Sequence, residues 1–204
     1  MDMVEIRIHG RGGQGVVTAS DLVAMAAFKE GHHAQAFPSF GSERTGAPVV
    51  SFCRVSDEAI RTREPVLEPD IVIVQDPTLL AVMEVFSGMK RDGHALINTS
   101  RSVEELRAEG LISEEAGEQV ITVPASEIAR EHVGRPLPNA ALLGAASAYT
   151  GLVDIESVED AIHQRFHGRL GDSNAAAARA AYDYVNEANL GEAGDEAVGE
   201  AANA

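Results

Sequence analysis

The first thirty residues pass from an alternation of hydrophobic and polar positions to a glycine-rich string and then to an apolar stretch. Val4, Ile6 and Ile8 alternate with polar neighbours within residues 3–9, which predicts a strand. The string HGRGGQG comes next. The Ala-rich segment 16–30 that follows predicts a helix, so the chain opens with a strand, a glycine loop and a helix.

Strand-like and helical segments then alternate along the chain. The run Ile71–Val74 consists of β-branched residues bounded by Pro69 and Pro77, which is typical of a strand covered on both faces. Further strands are predicted over residues 33–37, 49–55, 59–62, 95–98 and 119–123. Further helices are predicted over residues 77–89, 140–150, 157–168 and 173–188, and directly after strands 95–98 and 119–123.

Local signals refine several of these elements. The turn at Ser56–Glu58 predicts that segment 59–62 returns as an antiparallel hairpin partner of the third strand. Asn139 is a plausible N-cap for the helix 140–150. Ser157–Asp160 resembles a capping box, with Asp in place of Glu, at the start of a helix that ends near Gly168.

Strands that alternate with helices of this length predict an α/β protein, a Rossmann-like three-layer α/β/α sandwich with a mostly parallel, mixed sheet. A chain of 204 residues is long enough for one such domain, which we place at residues 1–189. Segment 190–204 contains almost only Gly, Ala, Glu, Asp and Asn, and its low hydrophobicity predicts a flexible acidic tail.

Composition excludes several classes of function. The 32 acidic residues outnumber the 16 Lys and Arg residues and give a formal net charge of −16, which disfavours nucleic acids and anionic membranes as partners. No apolar run is long enough for a membrane span or a signal peptide, so we expect a cytoplasmic protein. The single cysteine, Cys53, cannot ligate an iron–sulfur cluster alone.

The glycine string offers the clearest candidate site. Gly10, Gly12 and Gly15 stand in GxGxxG register between a strand and a helix, where backbone N–H groups and the helix dipole can receive a phosphate. A dinucleotide site also needs an acid at the end of the second strand. That strand has none, since Glu30 lies before it, so a complete NAD site is not expected. A tight strand-to-helix turn explains the same glycines.

Other candidates are weaker. His163 and His167 have the i, i+4 spacing of zinc ligands, but no third ligand is evident, and we expect no metal site. Asp76 follows the buried strand, where α/β proteins bind ligands, although it also fits a helix cap before Pro77. Arg44 could face an anionic ligand or partner, or form a local salt bridge.

Four strings in this order strongly resemble the gamma subunits of 2-oxoacid:ferredoxin oxidoreductases, in the pyruvate and 2-oxoisovalerate branch. They are EIRIHGRGGQGVVTAS, AQAFPSFGSERTGAPVVSF, EPDIVIVQDPTLL and GRPLPNAALLGAASAYTGL. The resemblance spans about residues 3–184. The loop FPSFGSERTGAP departs from the common pattern, because Ser39, Ser42 and Thr45 replace apolar or basic residues, which leaves the identity of the 2-oxoacid open.

The resemblance implies a subunit of an enzyme that oxidatively decarboxylates a 2-oxoacid such as pyruvate onto coenzyme A. Thiamine diphosphate and [4Fe-4S] clusters are implied on partner subunits, and electrons pass through those subunits to ferredoxin or another acceptor. The implied partners are alpha and beta subunits and a ferredoxin-like delta subunit. No catalytic residue or cofactor is expected on this chain alone.

We therefore expect this chain to supply an interface and to help enclose coenzyme A. The candidate binding residues are Gly10, Gly12, Gly13, Gln14 and Gly15, which would offer donors to a coenzyme A phosphate or to a carboxylate of the alpha subunit. Phe40, Arg44 and Asp76 are candidate contacts, and the stiff loop carrying Phe37 and Phe40 is a candidate anchor, although Phe37 fits the core equally well. The alternative is a free-standing nucleotide- or coenzyme A-binding α/β module.

Overall fold

In a computed structural model, residues 1–39, 45–113, 116 and 118–202 are described, with side chains as far as residue 188. The strands are β1 (Val4–Arg11), β2 (His33–Pro38), β3 (Pro48–Ser56), β4 (Ile71–Val74), β5 (His94–Asn98) and β6 (Val120–Val123). The helices are α1 (Val16–Lys29), α2 (Val103–Ala108), α3 (Ala125–Val133), α4 (Asn139–Thr150), α5 (Ile155–Arg165) and α6 (Arg169–Ala202), and a 3₁₀ helix covers Pro77–Ala81.

The six strands form one mixed sheet in the order β2-β3-β1-β4-β5-β6. Strands β1, β4, β5 and β6 are parallel, whereas β3 is antiparallel to both of its neighbours, β1 and β2. The prediction of a mixed α/β sheet is therefore confirmed.

Alternate side chains of the central strands enter two separate cores. Ile8 and Ile73 belong to the larger core beneath α1, α4, α5 and α6. Val72 and Ile97 point to the opposite face and pack with the 3₁₀ helix and α2. Because both faces of β4 are covered, all four of its residues are buried, as the β-branched run predicts.

The predicted hairpin strand 59–62 is wrong. This segment is not a strand, because β3 already pairs with β1 on one side and with β2 on the other. Neither edge of β3 is left for a further partner.

The predicted helix 77–89 is also wrong beyond its first turn, since only the 3₁₀ helix Pro77–Ala81 forms. Two carbonyl groups in the remainder, those of Val85 and Ser87, accept hydrogen bonds from the buried Arg7 guanidinium at 3.0 and 2.6 Å. This segment is thus tied to β1 by a side chain instead of by helical hydrogen bonds.

Several predicted helix ends shift. Asn139 is the first residue of α4 and not its N-cap, which is Pro138. Ser157 is buried inside α5, whose N-cap is Asp154, so the capping box predicted there is wrong. A capping box that we did not predict forms at Ser102 and Glu105 of α2.

The last two helices also differ from their predicted lengths. Helix α5 ends at Arg165, before Gly168. The backbone of α6 is helical to Ala202, beyond the predicted end at Ala188, in keeping with the high helix propensity of its many Ala and Glu residues. The division into a domain at 1–189 and a flexible tail at 190–204 stays a prediction. Within the described residues, no helix has the length and apolar character needed to cross a bilayer.

Candidate anion-binding site at the glycine loop

The glycine loop joins the end of β1 to the start of α1 through a tight turn. The Gln14 N–H donates to the Arg11 carbonyl at 3.0 Å and closes this turn. Gly13 and Gly15 have φ values of +94° and +75°, a left-handed region that is strained for residues with a Cβ atom. The turn therefore favours glycine at both positions, although Asn and Asp can also adopt this backbone conformation.

Two of the glycines also permit close packing. A Cβ atom on Gly10 would lie 2.6 Å from Val16 Cγ2, so the strand and the helix could not approach as they do. A Cβ atom on Gly15 would lie 2.8 Å from Asn139 Nδ2, at the start of α4. By contrast, a Cβ atom on Gly13 would meet no atom within 4 Å, so Gly13 faces open space.

The backbone donors of the loop divide into used and unused groups. The Gly12 N–H donates to the Ala47 carbonyl at 2.9 Å, and the Gln14 N–H closes the turn, so neither is available to a ligand. Gly15 is the N-cap of α1, and because glycine has no side chain it cannot accept hydrogen bonds from the first N–H groups of the helix. The N–H groups without an acceptor among the described residues are those of Gly13, Gly15, Val16, Val17 and Thr18.

These unused donors lie at the positive end of the α1 dipole, which favours an anion. An open cavity of about 420 Å³ adjoins them. Its polar lining includes Arg11, Thr18 and Thr45, and its apolar lining includes Val17 and Val49. The cavity can therefore hold an anionic group at the helix end and an apolar group beside it.

Arg11 is held at the cavity wall by several acceptors. Its Nη2 donates to Thr78 Oγ1 at 2.7 Å, and its Nη1 donates to the Gly46 carbonyl at 3.0 Å. Its Nε lies 3.3 Å from Asp76 Oδ2. Arg11 was not among the predicted site residues, although it stands between the glycines of the motif.

Asp76 lies behind the loop and not in the cavity lining. Its Oδ1 accepts the Thr78 N–H at 3.0 Å and so caps the 3₁₀ helix, while its Oδ2 accepts Gln14 Nε2–H at 2.7 Å. Partial burial acts to raise the pKa of Asp76, but the hydrogen bonds from Thr78 and Gln14, with the Arg11 charge, outweigh it and hold that pKa below its ordinary value. The capping interpretation fits these contacts better than direct ligand binding.

The sheet order differs from that of the dinucleotide-binding fold. Strand β3 separates β2 from β1, so the end of β2 lies one strand further from the glycines than in the dinucleotide-binding fold. Glu30 is engaged elsewhere, because its Oε1 accepts the Asp154 N–H at 2.7 Å and so caps α5.

The remaining predicted residues are dispersed. Phe37 is half-buried and packs 5.3 Å from the Phe52 ring centroid, which favours its core interpretation. Phe40 and Arg44 lie outside the described residues. His163 lies 3.3 Å from Asp172, and no group of three or more His, Cys, Asp or Glu side chains within the described part of the chain could hold a metal.

Two polar side chains near the loop were not predicted to lie there, although Asn139 was expected at the start of a helix. Gln75 is 1% exposed, and neither of its amide atoms has a partner among the described residues. Asn139 contacts Gly15 and brings the start of α4 against the start of α1. A polar residue directly after a buried strand was the available signal for Gln75.

Together, the sheet and the loop define a single-domain α/β protein with unused backbone donors at the turn after its first strand. Residues 5–184 match the family model described as pyruvate ferredoxin/flavodoxin oxidoreductase. The common gamma subunit of the pyruvate/ketoisovalerate oxidoreductases of Pyrococcus abyssi is 49% identical over 89% of this chain and 96% of its own length. The pyruvate synthase subunit PorC of Methanothermobacter marburgensis is also 49% identical, over 89% of this chain and 97% of its own.

A solved structure agrees with these relatives. The pyruvate oxidoreductase subunit PORC of Thermotoga maritima superposes with a TM-score of 0.77 at 37% identity, covering 90% of this chain and 97% of the other. The chain belongs to the pyruvate ferredoxin/flavodoxin oxidoreductase family. The resemblance to gamma subunits that the four strings indicate is confirmed.

Proposed function

We propose that this chain is the gamma subunit of a thiamine-diphosphate-dependent 2-oxoacid:ferredoxin oxidoreductase. The enzyme converts a 2-oxoacid such as pyruvate, together with coenzyme A, into acyl-coenzyme A and CO₂, and passes two electrons to ferredoxin. Relatives whose names contain pyruvate or ketoisovalerate match this chain over nearly their whole length, which supports the assignment of substrate class.

The redox chemistry belongs to partner subunits in this proposal. The chain has one cysteine, and Cys53 is fully buried, where burial raises the pKa of its thiol to about 12. The iron–sulfur clusters are therefore assigned to partner subunits. The family resemblance assigns thiamine diphosphate there as well, so alpha, beta and ferredoxin-like delta subunits carry these groups and the chain is inactive alone.

The role of this chain is to hold coenzyme A at the glycine loop. The observation that carries the proposal is the set of unused N–H groups at the start of α1, those of Gly13, Gly15, Val16, Val17 and Thr18, beside the open cavity. These groups suit a phosphate of coenzyme A, and Arg11 adds a cation at the cavity wall. Val17 and Val49 offer apolar contact to the less polar part of coenzyme A.

Coenzyme A binding can be tested on the purified chain with a matched pair of variants. In Gly13→Asp, a carboxylate takes the place of the anion at the unused donors, so we expect coenzyme A affinity to fall at least about tenfold by isothermal titration calorimetry. Gly31→Asp is the control, because Gly31 has a φ of +91°, has equally open surroundings and lies just beyond the other end of α1. Equal affinities in both variants would show that the loop is only a turn.

The same samples separate the proposal from the alternative of a free-standing binding module. The subunit should be colourless and should recover the alpha and beta subunits from the cell of origin. A chain that binds adenine nucleotides tightly but recovers no thiamine-dependent partner would support the module instead.

A further inference from the structure

We propose that Gln14 and Asp76 form a lock that positions the glycine loop, and that Gln14 is a positioning residue and not a ligand contact. Both functional atoms of the Gln14 amide point inward. Its Oε1 accepts the Arg11 N–H at 2.7 Å, and its Nε2 donates to Asp76 Oδ2 at 2.7 Å. The loop is thus tied to the end of β4, the neighbouring parallel strand.

Asp76, the acceptor of the lock, is itself held in place by hydrogen bonds. Asp76 also accepts hydrogen bonds from the backbone N–H and the hydroxyl group of Thr78, which hold the carboxylate in place. Arg11 contacts the same carboxylate and the same Thr78 hydroxyl group. Because every partner is part of the loop or of the segment after β4, the lock sets where the loop stands relative to the sheet.

This arrangement explains why the motif carries glutamine at this position. A glutamate would keep an acceptor for the Arg11 N–H, but it would place a second carboxylate against Asp76, where Gln14 now supplies a donor. With the Gln14 amide engaged inward, the N–H groups of Gly13 and Gly15 remain free to face the cavity. The inference rests on the proposed function only for the identity of the ligand.

The lock can be tested by exchanging its donor and acceptor. In Gln14→Glu, a carboxylate oxygen at position 14 faces Asp76 Oδ2, so two acceptors meet. In Asp76→Asn, the amide oxygen stays with the Thr78 N–H and the amide nitrogen faces Gln14 Nε2, so two donors meet. In the double variant, position 76 donates and position 14 accepts, which is the reverse of the wild-type hydrogen bond, and the pair still carries one negative charge. Gln164→Glu, at an exposed position of α5, is the control for the added charge.

The first measurement is hydrogen exchange of the Arg11 amide, which needs no ligand. We expect exchange to accelerate about tenfold or more in each single variant, because without the hydrogen bond to Asp76 the side chain that accepts the Arg11 N–H is no longer held in place. It should return to within about threefold of the wild-type rate in the double variant, while Gln164→Glu leaves it unchanged. Unchanged exchange in Gln14→Glu, or no recovery in the double variant, would overturn the lock.

The second measurement is coenzyme A affinity in the same four proteins. It should weaken about tenfold in the single variants and recover in the double variant. An affinity that Gln14→Glu leaves intact although exchange accelerates would show that the lock does not position the ligand site. If the wild-type chain does not bind coenzyme A, the proposed ligand is wrong, and the exchange measurement still decides whether the lock exists.

Discussion

His9 on β1 is a buried, uncharged histidine that lies beside the Arg7 guanidinium. It is 4% exposed, and its Nε2 accepts a hydrogen bond from Arg7 Nε at 3.1 Å, so that nitrogen carries no proton. Burial, and secondly the Arg7 charge, lower the pKa of His9 to about 3. The unfolded chain has no such constraint, and its histidines titrate near pH 6.5.

This difference predicts that the protein loses stability as the pH falls from about 6.5 to 4.5. In that range the unfolded state binds a proton at residue 9 and the folded state does not, so one histidine contributes up to about 1.4 kcal/mol per pH unit. Burial also lowers the pKa of His94, which acts in the same direction.

The contribution of His9 can be isolated with His9→Gln, which keeps an acceptor for Arg7 but does not titrate. Urea unfolding of both proteins across this pH range should give a shallower slope for the variant. Parallel slopes would mean that His9 is protonated in the folded protein or that its burial is incomplete.

Residue roles were only partly predictable from the sequence. The register of Gly10, Gly12 and Gly15 located the loop, because a turn with positive φ values and close packing admits few other residues. The partner of Gln14 was not predictable, because the contact with Asp76 joins positions that are 62 residues apart. It depends on β1 and β4 being neighbours in the sheet.

At the scale of elements, the contact between α4 and α6 depends on a residue without a side chain. A Cβ atom on Gly144 would lie 1.9 Å from the Ala178 carbonyl oxygen, so the two helices pack backbone against backbone. Helix α4 in turn places Asn139 against Gly15 of the glycine loop. The α4–α6 contact therefore supports the site from a distance.

Gly144→Ala should destabilise the protein even though alanine is the better helix former by about 1 kcal/mol. Separating the helices reduces packing in the larger core, and we expect a net loss of about 2 kcal/mol or more in the free energy of unfolding, as for other overpacked cores. Chemical denaturation measures this directly. A stabilised variant would show that propensity dominates and that the helices are less closely packed.

Elements with a strong local signal were predicted well, and those decided by distant partners were not. The run Ile71–Val74 is a buried strand as expected, because β-branched residues bounded by prolines leave few alternatives. Segment 59–62 has a plausible strand sequence, yet β3 has no free edge for it. The predicted helix 77–89 is wrong for a similar reason, because the distant Arg7 side chain donates hydrogen bonds to the carbonyl groups of Val85 and Ser87.

At the scale of the whole molecule, the proposed oxidoreductase has its functions divided between several chains. This chain contributes an α/β scaffold, and we propose that its unused backbone donors hold a ligand and that the redox groups lie on its partners. The fold class and the family were accessible from the sequence because the four motif strings span almost the entire domain. The unused donors at α1 could be identified only once the hydrogen bonds of Gly12 and Gln14 were known.

The most direct test of this division is the KM for coenzyme A of the complete enzyme assembled with either the Gly13→Asp or the Gly31→Asp chain. Gly13→Asp should raise that KM at least about tenfold, leave the KM for the 2-oxoacid unchanged and leave assembly intact, while Gly31→Asp behaves as wild type. Equal KM values for coenzyme A in both assembled enzymes would contradict the claim that this loop holds the acyl acceptor.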